Sequence, residues 1–338
     1  MRMLPYPDKP LLLSYHNKAF PFGIIQANSQ EDITKWLCTK CVNCVYYPNS
    51  PKNKFNLAVV DVWGVNEQLV VQQVLQIKKD FFSLFKMDLL HILKTAISNG
   101  CYVHGNYNEK YIPGKWAYGN EDYMHDFLLI GCDDDTFISV GYVADGHFKK
   151  YTIPNQNLIE SLYEVGGVKI NINLFSYEDG AVPSPNVQRM VNDLKKYIST
   201  SNCFENTNPS SNSYGIATNI RLKEFFLDEV KNKGEIYVDK RYSRVLLEHK
   251  WVMNQLVNLF LDAHEKVEFQ KYTNQNYKKA EIVHMLGLKM SSNGQVDLIN
   301  RIAQLIDEMI ASELEYIPVL IRILEEKYQD ADCKMKLQ

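Results

Sequence analysis

The sequence contains no apolar run approaching the ~18 residues that a membrane-spanning helix needs, and Met1 to Ser14 lack the charged, apolar and small-residue order of a secretory signal. A cytoplasmic protein with no membrane partner is expected. Clustered basic residues are missing too. The 37 basic and 40 acidic side chains leave a net charge of −3, whereas phosphate recognition needs grouped Lys and Arg, so no nucleic-acid partner is expected. Cysteine is sparse and odd in number, seven in 338 residues, which without a secretory signal reads as reduced thiols rather than a disulfide framework. Internal repeats and long low-complexity segments are also absent. What is plentiful is apolar material, 46% of the chain, enough for the core of one large or two modest domains.

Taken in order, residues 1 to 22 carry Pro5, Pro7, Pro10 and Pro21 around Leu11-Leu12-Leu13, which predicts an extended arm without a long helix. A helix is expected to start at Asn28 and Ser29, both cap residues. Glu31 and Asp32 suit its positive end, and Ile33, Trp36, Leu37 and Cys41 recur at helical spacing towards Cys44. Tyr47 to Pro51 is a loop by composition. A strand is predicted over Phe55 to Gly64, and an amphipathic helix over Asp88 to Ser98, ended by Asn99-Gly100. Cys101 to His104 begins a strand, and the aromatic stretch Tyr107 to Tyr123 follows. The run from Tyr123 to Val143 then reads as a hairpin. Apolar residues open at His125, Gly131 to Asp135 make the turn, and a second β-branched and aromatic run returns. Short strands at Lys149 to Ile153 and Val168 to Phe175 flank a helix at Asn157 to Tyr163.

The second half changes character. Val187 to Ile198, Leu222 to Lys231, Tyr242 to Glu265, Tyr277 to Lys289 and Val296 to Lys327 all repeat apolar residues at helical period. Strand signals almost vanish there, and Ser199 to Ser213 reads as a surface loop. The expected class is α+β: an N-terminal helix packed on an antiparallel sheet over residues 1–176, then an α-helical domain or lid over residues 177–338.

Cysteine-dependent acyl transfer needs a thiolate at a helix N-terminus, a histidine to activate it, and an Asp or Asn to orient the histidine. His125 is the candidate base. After it the chain returns through Val140 to Asp145, the candidate acid, although the nearer position 141 is a glycine. A thiol should stand at the predicted helix start, Ala27-Asn28, and alanine stands there instead. Cys38, Cys41 and Cys44 lie further along the same predicted helix, remote from its positive end. Either position 27 is a cysteine in the natural protein, or the chain has lost this chemistry. Gln26 offers an amide for an oxyanion, which favours the first. Tyr107, Tyr111, Trp116, Tyr118 and Tyr123 either cover a core edge or line a substrate pocket. For His125 the competing reading is a satisfied hairpin histidine.

Other signals are weaker. Cys38-Thr-Lys-Cys41-Val-Asn-Cys44 resembles part of an iron–sulfur motif. Spaced along one predicted helix without a fourth ligand, the three read better as small buried hydrophobes, and no metal or cofactor is expected. Asp133 to Asp135 lack the Gly and closing Glu of a calcium loop. His249, inside Leu246 to Met253, reads by default as helix packing.

Several segments together carry a resemblance. They are Cys101-Tyr-Val-His104 with Glu109-Lys-Tyr-Ile-Pro113, Tyr123 to Asp134, Gly141-Tyr142, Asp239-Lys-Arg241 and Leu247-Glu248-His249-Lys250. They resemble proteins related to the N-terminal domain of butirosin biosynthesis protein H, which accompany nonribosomal peptide and related antibiotic pathways. They are also similar to papain-fold, transglutaminase-like and peptidase C39-like amide synthetases. That resemblance implies a papain-like cysteine protease fold, a Cys-His-Asp site and ATP-independent acyl transfer to an amine from the phosphopantetheine thioester of an acyl carrier protein. By position it assigns the base to His125, the nucleophile to residue 27 and, approximately, the acid to Asp145. The alternatives left open are a catalytically silent papain-fold binding module and a cysteine peptidase.

Overall fold

The computed structural model describes residues 2–48, 54–59, 71–78, 88–163, 171–204, 211–232, 239–293 and 297–335. Along the chain the strands are β1 (Arg2–Met3), β2 (Cys44–Tyr47), β3 (Lys54–Leu57), β4 (Val71–Lys78), β5 (Tyr102–Asn108), β6 (Met124–Cys132), β7 (Thr136–Tyr142), β8 (Phe148–Pro154), β9 (Asn171–Tyr177) and β10 (Ser213–Tyr214). The helices are α1 (His16–Asn28), α2 (Thr34–Lys40), α3 (Leu89–Ser98), α4 (Asn155–Tyr163), α5 (Val187–Ser199), α6 (Ala217–Asn232), α7 (Lys240–Phe260), α8 (Ala263–Asn293) and α9 (Leu298–Met335), with a 3₁₀ turn at Glu109–Tyr111.

The chain divides into two units, and the division is not a single cut. One comprises Met1–Asp32 with Asp61–Pro183, the other Ile33–Val60 with Ser184–Gln338. The boundary expected at 176/177 therefore lies at 183/184, and residues 33–60 leave the sheet unit for the helical one. Side chains explain the exchange: Cys38, Cys41, Val42, Cys44 and Val45 are buried, and their polar neighbours belong to later helices. The Val42 carbonyl meets His249 Nε2 at 3.0 Å, and Asn43 donates to the Asp193 carbonyl at 3.1 Å.

In the sheet unit an antiparallel sheet runs β4-β9-β5-β6-β7-β8, with β1 added against the end of β6. The predicted hairpin is present. Leu128 pairs with Val140 and Cys132 with Phe137, with an irregularity between Leu129 and Gly131. Gly131 is required there, because a Cβ would stand 2.8 Å from the Arg2 carbonyl of the added strand. Helix α3 forms as predicted. Asp88 caps it by accepting from the His91 N–H, and Leu89, Leu93, Ala96 and Ile97 are its buried stripe.

Two predicted elements are corrected. The helix expected from Asn28 to Cys44 is two separate pieces, α1 ending at Asn28 and α2 beginning at Thr34, and Cys44 opens β2. The arm expected over residues 1 to 22 becomes helical at His16, with Pro21 inside α1. An interior proline forfeits a backbone bond and costs about 3 kcal/mol. Packing offsets it, since Ala19, Phe20, Phe22, Ile24 and Ile25 are buried and the Tyr6 hydroxyl donates to the Ala19 carbonyl. Of the strand expected over 55–64, residues 54–57 are β3, and residues 60–64 lie outside the described residues.

The helical unit holds α2 and α5 to α9 with a small antiparallel sheet, β10-β2-β3. The helix predicted from Tyr277 forms within the longer α8, and that predicted from Val296 is α9 from Leu298 on, Val296 lying outside the described residues. Among the described residues no helix is long and apolar enough to cross a membrane.

Candidate active site

His125 lies near the start of β6, directly opposite Tyr107 of β5. Its Nδ1 is 2.7 Å from Glu109 Oε1. The His125 side chain is 27% exposed and that of Glu109 only 5%, so the carboxylate is inside and the ring reaches the surface. A carboxylate oxygen at that distance can accept from an Nδ1–H, which leaves Nε2 for a second partner.

Local chain chemistry places Glu109. Asn108 ends β5 with its side-chain oxygen accepting the N–H groups of Lys110 and Tyr123, and its amide donates to Asp122. This clamp joins the two ends of the aromatic loop and turns Glu109 inward. Lys115, also buried, lies 3.8 Å from Glu109 Oε1. Its ammonium donates to the Tyr142 carbonyl at 2.5 Å and lies over the Tyr151 ring at 4.3 Å.

At the first position of α1 stands His16, its ring stacked on His125 with centroids 4.5 Å apart. Phe20, Tyr142 and Phe148 surround the same ring. The positive end of α1 therefore presents an imidazole to His125. Gly141 completes the wall. A Cβ there would be 3.3 Å from His16 Nε2 and 3.5 Å from Lys115 Nζ, and φ is +151°, a conformation that disfavours any other residue.

Three expected site residues are elsewhere. Ala27 is next to last in α1, roughly 16 Å along the helix from His16 at 1.5 Å per residue. It lies at the negative end, which would resist a thiolate. Gln26 is engaged with the N-terminal arm, accepting from the Leu11 N–H and donating to the Lys9 carbonyl. Asp145 is an exposed turn residue that accepts from Lys149 and from the His147 N–H. Those bonds hold its carboxyl below the usual range, and the carboxylate on His125 is Glu109. The common cause is register: α1 starts twelve residues before the expected helix, and the carboxylate beside His125 comes from the 3₁₀ turn after β5 instead of the turn after β7.

The aromatic residues divide. Tyr107 is core, fully buried against Phe127 and hydrogen-bonded to Tyr151, and burial drives its hydroxyl pKa well up. Tyr111 is half-buried and its carbonyl anchors Asn157 of α4. Trp116, Tyr118 and Tyr123 are exposed. Tyr123 meets both Trp116 and His125 edge-on, so these rings form an approach to the base.

Among the described residues no group of three or more His, Cys, Asp or Glu is arranged to hold a metal ion. Cys38, Cys41 and Cys44 are buried without a disulfide, and burial pushes the Cys44 thiol far up. His249 is likewise buried in the helical unit, stacked on Tyr197 beside the Lys250–Glu313 ion pair. No family model matches the sequence, and no curated protein matches it.

Proposed function

We propose that the sheet unit is a papain-like acyl-transfer module, similar to the N-terminal domain of butirosin biosynthesis protein H. In it an amine attacks a carrier-bound thioester directly. The observation that carries this is the pairing at the mouth of the hairpin: a Glu109-oriented His125 facing the first residue of α1, where an imidazole and not a thiol stands.

The attacking amine gives its proton to Nε2 of His125 as its nitrogen bonds to the thioester carbonyl carbon. The positive end of the α1 dipole stabilises the tetrahedral oxyanion. Collapse breaks the carbon–sulfur bond, and the imidazolium returns the proton to the departing phosphopantetheine thiolate. Amine and thioester become amide and thiol, with neither ATP nor an acyl-enzyme. Direct transfer suits this site because a thioester is already activated. A positioned base adds about 10²–10⁴-fold.

The same pairing favours a second reading, a silent module that binds the carrier's acyl chain, since His16 is only 5% exposed. The two separate in one experiment, in which an acyl-pantetheine thioester and an amine are mixed with the protein and followed by intact mass and product analysis. The catalytic reading expects amide without an acyl adduct, about 10²–10⁴-fold less in His125→Ala, and an adduct in His16→Cys. Saturable binding without product supports the silent module. Neither binding nor product overturns both.

A further inference from the structure

We infer that Lys115 is a positioning residue of this site, acting through Glu109 to hold the base in its working tautomer. The inference rests on the general-base reading above, and one of its tests does not need turnover.

A lysine with 1% of its side chain exposed must be compensated at every side of its ammonium. The compensation here converges on the site. Nζ reaches Glu109 Oε1 at 3.8 Å and the Tyr142 carbonyl at 2.5 Å. The Tyr151 face lies at 4.3 Å and that of Tyr107 at 5.8 Å, and these two rings share a hydroxyl–hydroxyl bond. Nζ therefore touches the carboxylate that orients His125, the end of β7 and the aromatic floor.

Position 141 gives the second observation. The absent Cβ of Gly141 would lie between His16 and Lys115 Nζ. The space a β7 carboxylate would occupy is bounded by a cation, and the carboxylate comes from the far side, on Glu109. The two features fit one requirement. A buried carboxylate supplied from the 3₁₀ turn needs a fixed counter-charge to stay ionised in low dielectric, and an ionised carboxylate, having no proton to donate, can only accept and so selects the Nδ1–H tautomer. Lys115 supplies that charge without competing for the ring, because it cannot accept a proton bond from Nδ1.

The groups that face His125 are Glu109 on the 3₁₀ turn, His16 on α1, Tyr123 beside β6 and, behind Glu109, Lys115. Removing the cation leaves the buried Glu109 carboxylate without its counter-charge, and its hold on Nδ1–H loosens.

The test compares Lys115→Met, Lys115→Arg and the unaltered protein, each first shown to be folded by near-UV circular dichroism. Nitrogen-15 NMR of the histidine rings reads the tautomer directly. The unaltered protein is expected to show His125 protonated at Nδ1. Lys115→Met should show mixed tautomers and aminolysis reduced about tenfold or more; Lys115→Arg should restore most of each. A folded Lys115→Met with the native tautomer overturns the assignment and leaves Lys115 a packing residue. If the unaltered protein shows no aminolysis, the general-base reading fails, and the tautomer comparison still decides the role of Lys115. Should Lys115→Met not fold, Lys115→Gln serves: it keeps a polar tip and removes the charge, and a native His125 tautomer in that folded variant overturns the proposal.

Discussion

Gly141 shows how far a single residue can shape this site. With φ at +151° and both His16 and Lys115 within contact of an added methyl group, Gly141→Ala combines backbone strain with a wedge. A loss of about 1–3 kcal/mol is expected in urea unfolding, with lowered aminolysis. Asp145→Asn is the opposite case. It removes an exposed turn carboxylate bonded to Lys149 and His147 and is expected to leave aminolysis within about twofold, since surface changes of this kind stay near ±0.5 kcal/mol; a loss comparable to that of His125→Ala would return the acid role to Asp145. Residue by residue, His125 was legible because an apolar hairpin opening on a histidine is a strong local signal. Glu109 was visible only as part of a motif, because its partner is sixteen residues away and is brought to it by the β5–β6 register and the Asn108 clamp.

At the scale of elements, the legible ones were those whose local chemistry and packing agree. Helix α3 has a capping aspartate, an apolar stripe and a terminal Asn-Gly, and Asp88→Ala is expected to lower the melting temperature through a loss of about 1 kcal/mol. Helix α1 was hidden because Pro21 contradicts its propensity. It forms because tertiary burial outweighs that cost, and the crossing arm decides how tightly it packs: a Cβ at Gly23 would overlap the Tyr6 ring. Gly215 is more constrained still. Its φ is +58° and a Cβ would collide with the Tyr197 carbonyl, whose oxygen also accepts the Ile216 N–H. Gly215→Ala is expected to cost more than about 3 kcal/mol, seen as a fall in denaturation midpoint with an unchanged denaturant slope.

At the scale of the whole molecule, the exchange of residues 33–60 has a direct consequence. A chain ending at 183 keeps this segment but loses α5 to α9, against which the buried Leu37, Cys38 and Val42 lie. Such a fragment is expected to bind a hydrophobic dye and to self-associate on size exclusion, whereas a fragment cut at a true domain border would stay monomeric. Acid should act on the helical unit. Burial, helped by Arg244 and Lys240, lowers His284 from 6.5 to about 4, and burial with Lys250 lowers His249 well below its ordinary value. Both stay neutral in the folded state. The unfolded chain binds protons first as the pH falls below about 6.5, so the stability held above that value is lost on the way towards 4. The melting temperature should fall over this range, and His284→Gln should shallow the fall.

The sequence by itself determined the α+β class, the hairpin and its histidine, and the helical second half, because each is written in patterns within one element: alternation, helical period, caps and turns. Only the tertiary structure decided which residues share a site and which unit each segment joins. His16, Glu109, Lys115 and Gly141 are separated by up to 125 positions, and strand register, the start of α1 and a buried ion pair bring them together. Local pattern does not encode those because they are settled by packing between elements distant in the chain.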